Sequence, residues 1–253
     1  MDKKKKIQEI RSKLSTGQYS IGTWMQLSDS NVAEILGKSN FDWVAIDREH
    51  GSISRENLPN LMRAIELGNS LPLVRVPELS EVEIKISLDS GAAGIIIPKV
   101  ESSDDVEKIN NFSKWPPSGR RGVGFSRGNL FGKEFSNYHI LAQSPILIGM
   151  IETKSAIDNI QEILQSGVLD AILIGPYDLS ASLGITGELE DELFIESINL
   201  IKDKANQYNT AVGVHIVEPN KEKLYALVSE GYQFIPYSID TVFLTNNAKC
   251  PKL

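Results

Sequence analysis

The sequence predicts an α/β fold in which eight strand–helix units close into a parallel barrel, and three observations predict it. Eight short apolar runs recur along the 253 residues, at 20–24, 43–46, 71–74, 94–97, 146–151, 171–174, 211–216 and 234–237. Most are near-continuous rather than alternating, as in strands buried on both faces of a parallel sheet. Helical patterns separate most of them, and strict strand–helix alternation makes the sheet parallel. Eight repeats in a chain of this length favour closure. The alternative, an open doubly wound sheet, wants a Gly-rich phosphate turn after its first strand, and Gly22-Thr23-Trp24-Met25 is not one.

The elements follow in order. The start, Met1-Asp2-Lys3-Lys4-Lys5-Lys6, is basic, but no apolar core follows it, so it reads as a solvated, partly frayed first helix rather than a targeting segment. Residues 31–37 place Val32, Ile35 and Leu36 at helical spacing. Residues 54–67 open at Ser54, carry Pro59 in the first turns and Leu58, Leu61, Met62 and Ile65 on one face, and stop at Gly68. A helix over 81–88 ends before Gly91, and one over 102–112 starts in a Ser-Ser-Asp-Asp cap. Further helices are predicted over 155–164, 192–208 and 219–229, the last with Pro219 in its first turn. Residues 115–144, rich in Gly and Pro, read as a long irregular connection, of the kind that is usually functional. All 253 residues then form one (β/α)8 TIM barrel domain, with an N-terminal helix and a curtailed C-terminal helix.

A barrel carries its chemistry where the strands end. Charged residues gather there: Asp47, Arg48, Glu49 and His50 after the second run, then Arg75, Lys99, Glu152, Asp178 and His215 after the third to seventh. Asp42 and Asp170, at the opposite ends, are the main exceptions. Glu152 and Asp178 follow adjacent strands, and two hard oxygen donors suit Mg²⁺ or Mn²⁺ with room for waters and substrate. Equally, both acids fit as caps of the helices that follow them. His50 suits a base near neutral pH and Arg75 an oxyanion partner. The bland reading pairs His50 with Glu49 or Asp47, and Arg75 with the same acids. Lys99 is a carboxylate partner, to Asp47 or Glu152, or a Schiff-base amine. Trp24 and His215 are candidate pocket residues, His215 fitting equally a satisfied core histidine. His139 reads as a surface residue, and Arg120 and Arg121 as braces of the long connection or grips for an anion.

A net charge of −7 argues against a nucleic-acid or anionic-membrane surface. No apolar run approaches the roughly 20 residues needed to span a bilayer. The single cysteine, Cys250, excludes an internal disulfide and suits a reducing cytoplasm.

Four stretches together resemble the HpcH/HpaI aldolase/citrate lyase family, and within it the class II, pyruvate-dependent 2-keto-3-deoxy sugar-acid aldolases. They are Ile46-Asp47-Arg48-Glu49-His50-Gly51, the Pro116-Pro117-Ser118-Gly119-Arg120-Arg121-Gly122 block, the segment from Met150-Ile151-Glu152 to Asn159, and Gly175-Pro176-Tyr177-Asp178-Leu179-Ser180. The resemblance implies a metal-dependent aldehyde-lyase in which Glu152 and Asp178 bind a divalent cation, Mg²⁺ or Mn²⁺ and less commonly Co²⁺. Pyruvate would be held through its carboxylate and keto oxygens beside Gly175, Tyr177 and Asp178. Arg75 would stabilise the enolate, and His50, oriented by Asp47, would move protons. Asp89 would approach that histidine from a neighbouring subunit of a homo-oligomer, a trimer of dimers. Three departures stand out: Met150 where many relatives carry Gln, Arg48 adding charge near the rim, and a short chain end that bears on the hexamer. Competing functions are a Schiff-base aldolase through Lys99, an acyl-CoA ester lyase using Arg120 or Arg121, and a barrel that binds a keto acid without turning it over.

Overall fold

In a computed structural model, which describes residues 1–251, eight parallel strands close in sequence order, β1 pairing with both β2 and β8. The strands are β1 (Ser20–Met25), β2 (Trp43–Asp47), β3 (Leu71–Arg75), β4 (Gly94–Ile97), β5 (Ile146–Ile151), β6 (Ala171–Ile174), β7 (Ala211–Val214) and β8 (Phe234–Ile239). Each of the eight apolar runs is a strand. The seventh stops two residues early, at Val214, and Ile216 makes only an isolated bridge to Tyr237.

The helices are α1 (Lys3–Ser15), α2 (Ser30–Lys38), α3 (Leu58–Leu67), α4 (Glu81–Asp89), α5 (Ser103–Ser113), α6 (Phe135–Ala142), α7 (Lys154–Asp158), α8 (Ile160–Gln165), α9 (Pro176–Ser182), α10 (Glu192–Gln207), α11 (Lys221–Ser229) and a short α12 (Asp240–Asn247). None of them is long and apolar enough to cross a membrane among the described residues.

Two apolar layers result. One lies between strands and helices, and includes Ile46, Leu61, Ile65, Val74, Ile95, Ile97, Ile172 and Ile235. The other fills the barrel, with Trp43, Leu71, Leu73, Ile96, Ile148, Leu173 and Phe234. Trp43 stacks on Phe234 at 4.3 Å, and a Cβ on Gly22 would sit 2.1 Å from the Trp43 ring, so glycine there lets the indole enter the barrel.

The first helix corrects the expectation of a frayed, solvated segment. Ile7, Ile10 and Leu14 of α1 are buried against the barrel floor. Arg11 pairs with Asp170 at 2.6 Å and Lys13 with Asp42 at 2.7 Å, which explains why those two acids stand at the strand starts. Other elements also differ from the sequence reading. Asn57, not Ser54, precedes α3, with Pro59 in its first turn. Helix α11 starts at Lys221 because Asn220 caps it, accepting from the Lys223 N–H at 2.7 Å, and this leaves Pro219 outside. The segment 155–164 is two helices broken at Asn159, whose side chain donates to Glu101 O at 2.8 Å. The connection 115–144 is not wholly irregular: a 3-10 turn at Arg127–Gly132 leads into α6, whose Tyr138 packs edge-on to Trp115 at 5.3 Å. His139 lies on α6 and is exposed.

Candidate active site

The barrel mouth holds a pocket lined by Trp24, Gln26, Asp47, His50, Arg75, Met150, Leu173, Gly175, Tyr177, Asp178 and His215, among others. Its charged floor follows from strand register. Asp47 and Arg75 are Cα partners at the ends of β2 and β3. Arg75 donates from Nε to Asp47 Oδ1 at 2.9 Å and from Nη2 to Oδ2 at 2.7 Å, a bidentate pair. Gln26 adds a hydrogen bond to Oδ2 at 2.9 Å. Burial pushes the Asp47 carboxyl up, but Arg75 and Gln26 outweigh it, and the group ends below the usual carboxylate range. Arg75 Cζ stands 4.4 Å over the Trp24 ring, a cation–π contact, and its Nη1 lies 3.2 Å from Glu49 Oε2 and 3.9 Å from Met150 Sδ.

The register of β5 and β6 pairs Ile151 with Ile174, and the residues just beyond, Glu152 and Gly175, come together at the mouth. A Cβ on Gly175 would lie 2.6 Å from Glu152 Oε2, so glycine makes the cradle for that carboxylate. Glu152 does not cap α7: Thr153 does, accepting from the Ala156 N–H at 3.1 Å. Glu152 Oε1 instead accepts the backbone N–H of Lys99 at 2.8 Å. Burial, with the charges of Glu49 and Asp178, raises the Glu152 pKa to about 7 against the pull of that N–H. Glu49 is raised too, burial first and outweighing Arg75, and no hydrogen bond reaches its buried Oε2 among the described residues. Asp178 lies in the first turn of α9.

Three carboxylates thus share a region with one guanidinium already held by Asp47. This donor set fits a hard divalent cation, which relieves mutual repulsion of oxygens and takes only one or two carboxylates. Among the described residues no three acidic, His or Cys side chains form a complete cage. Two carboxylates with positions left for substrate are what an open site requires.

The remaining candidates separate. His50 is exposed at the pocket edge, and Asp47 Oδ1 accepts its backbone N–H at 3.2 Å, so Asp47 shapes the turn that carries the imidazole. His215 lies beside Trp24 with ring centroids 5.9 Å apart, its Nε2 3.3 Å from Ser238 O, and burial lowers its pKa to about 4. Lys99 meets Glu152 through its backbone; its side chain is exposed and is not among the pocket residues. Asp89 is not in the pocket of its own chain: at the end of α4 it accepts from Arg121 Nη1 at 2.8 Å. Arg121, 1% exposed, also donates to the Tyr138 hydroxyl at 3.2 Å, and Arg120 faces Glu81 and the Phe112 ring, so both arginines brace the 115–144 segment. Arg48 does not add free charge to the rim, because it turns away and pairs with Glu83 of α4. The sequence reading missed Gln26 and the apolar Val217 and Ile239 as lining residues. Gln26 directly follows β1, but a test for charged residues passes over an amide.

The family model described as HpcH/HpaI aldolase/citrate lyase matches residues 20–247. The hydroxypyruvate/pyruvate aldolase of Roseobacter denitrificans is 32% identical, over 95% of this chain and 94% of its own length. The 2-keto-3-deoxy-L-rhamnonate aldolase of Shigella dysenteriae is 32% identical, over 94% of this chain and 89% of its own. Among solved structures, an HpcH/HpaI-type protein from Burkholderia cenocepacia superimposes with a TM-score of 0.88 at 27% identity, over 94% of this chain and 95% of its own.

Proposed function

The chain belongs to the HpcH/HpaI aldolase/citrate lyase family, and from that premise we propose that it is a divalent-metal-dependent aldolase, joining pyruvate to an aldehyde or cleaving the corresponding 4-hydroxy-2-keto or 2-keto-3-deoxy acid. The observation that carries this is one mouth holding both an arginine locked by Asp47 and a buried carboxylate, Glu152, within the field of Asp178. Glu152 and Asp178 would hold the cation, with Mg²⁺ or Mn²⁺ matching their hard oxygens. A bound cation supplies Lewis-acid stabilisation of the negative charge that develops on the keto oxygen.

The chain's own residues supply the rest. Arg75 cannot swing, because Asp47 holds its Nε and Nη2, so its charge is preorganised for that oxygen. His50, exposed on the rim, takes the proton from C3 in the joining direction. In cleavage it takes the proton of the C4 hydroxyl, and the C4–O bond becomes the aldehyde carbonyl as C3–C4 breaks. The electron pair moves toward the keto oxygen, and the proton is then returned to C3 to give pyruvate. In joining, C3 adds to the aldehyde carbon and the proton goes to the new C4 oxygen. Trp24, Met150 and Leu173 give the pocket an apolar wall that thins out water around the charge.

Proton–deuterium exchange at the pyruvate methyl group tests this reading without knowledge of the aldehyde. Exchange is expected with Mg²⁺ or Mn²⁺, lost on chelation, restored on add-back, and absent in Glu152→Ala. Exchange that survives exhaustive chelation would remove the metal role, and no exchange with any divalent cation would leave a keto-acid binder. A panel of aldehydes incubated with pyruvate then finds the acceptor.

A further inference from the structure

The turn that carries Glu49 and His50 is pinned on its inner side by Asp47, which accepts the N–H groups of both residues, at 3.1 and 3.2 Å. It is also pinned from outside. Arg48 leaves the strand end with its backbone N–H still donating to Arg75 O at 3.0 Å, and its side chain runs to Glu83 on α4. Glu83 receives Arg48 on one carboxylate oxygen and Arg55, from the far end of the same loop, on the other. The Arg48 and Glu83 side chains are 8% and 9% exposed, so the pair is shielded from solvent, while Arg55 is 49% exposed. Both guanidiniums hold Glu83 well below the usual carboxylate range, against its burial.

We infer that Glu83 is a positioning residue, which clamps the 48–55 loop through Arg48 and Arg55 and so fixes His50 and Glu49 over the mouth. The inference rests on the aldolase reading only for what His50 does there. Glu83 itself does not line the pocket, and its carboxylate is bonded to Arg48 and Arg55 rather than to Asp47 or Arg75. One carboxylate bonded to both ends of a loop ties it down more tightly than either pair alone. Removing that charge leaves a buried Arg48 without a counter-ion, an unfavourable state that is relieved when the loop lifts and the arginine reaches water. A displacement of about 1 Å at a proton-transfer group costs up to a hundredfold in rate.

The test uses the full chain with Mg²⁺ or Mn²⁺. In Glu83→Gln, backbone amides of residues 48–57 should exchange with solvent faster than in the parent protein, with the barrel strands still protected. The kcat for pyruvate methyl exchange should fall at least about tenfold while KM for pyruvate stays within about threefold, because Glu152 and Asp178 stand on the other side of the mouth and Arg75 is held by Asp47 rather than by this loop. Should Glu83→Gln fail to fold, Arg55→Gln, which removes only the exposed arm, should shift both readouts the same way by less. A folded Glu83→Gln, or failing that Arg55→Gln, with parental loop protection and parental kcat overturns the clamp. Lack of methyl exchange in the parent protein instead strikes the aldolase reading, and the amide readout still judges the clamp.

Discussion

Arg75 and Asp47 face each other across two neighbouring strands, joined by two parallel hydrogen bonds at 2.9 and 2.7 Å that hold both side chains in place. The pair explains how a guanidinium can remain buried at the floor of the pocket: its charge is matched before any substrate arrives. Asp47→Asn keeps the size but leaves Arg75 facing only Glu49. Stability is expected to fall by about 3 kcal/mol, since half of a buried ion pair is stranded. The kcat should drop by up to a hundredfold with a smaller change in KM, because a guanidinium free to rotate no longer holds its charge where it is needed. Urea unfolding and steady-state kinetics on the same preparation check both halves. An Asp47→Asn enzyme with parental kcat would show that preorganisation of Arg75 does not matter.

Gly175 has no side chain because Glu152 occupies that space. In Gly175→Ala the new methyl would press on Oε2 at 2.6 Å and on the Glu152 Cβ at 3.0 Å, so the whole glutamate side chain is displaced and some stability is lost with it. Metal affinity should weaken about 10- to 100-fold, the size of effect seen when the surroundings of a ligand are disturbed. Calorimetric titration with Mn²⁺, beside a thermal unfolding scan, separates this from simple destabilisation. Unchanged affinity would mean that Glu152 is not a ligand.

A Schiff-base route needs a lysine amine in the pocket, and Lys99 offers the site only its backbone N–H. Borohydride added with pyruvate should therefore leave the mass of the intact chain unchanged. A reduced pyruvyl adduct mapping to Lys99 would reverse the mechanism.

Strand order and the ring of charge around the mouth were legible because both rest on local patterns: apolar runs of four to six residues, each followed by a polar turn. The partner of Arg75 was open between Asp47 and Glu49; register across β2 and β3 puts Asp47 in the bidentate place, and Glu49 also lies 3.2 Å from Nη1. What could not be read were choices set by distant residues. Whether Arg48 lies on the rim or under it depends on Glu83, thirty-five positions away on α4. The role of α1 was hidden because Ile7, Ile10 and Leu14 are spread among lysines, and only the floor of a closed barrel gives them a surface to cover. Helix α6 was lost among neighbouring glycines, its Tyr138 finding its partner in Trp115. The partner of Asp89 was likewise out of reach of local pattern, since Arg121, which binds it, stands thirty-two positions away.

His215 gives a pH signature independent of catalysis. Burial beside Trp24 lowers its pKa to about 4, whereas an unfolded histidine titrates near 6.5. Between those values the unfolded chain binds the proton and the folded one does not, so folding stability rises with pH there. The cost is absent above pH 6.5, grows as pH falls toward 4 and is constant below, reaching up to about 3 kcal/mol. Glutamine at this position can still donate to Ser238 O but takes up no proton. Stability measured by urea unfolding from pH 7 to pH 4 should therefore fall more steeply in the parent protein than in His215→Gln. Parallel slopes would mean that the folded protein protonates His215 as readily as the unfolded chain does, and that the ring lies in water rather than behind the indole.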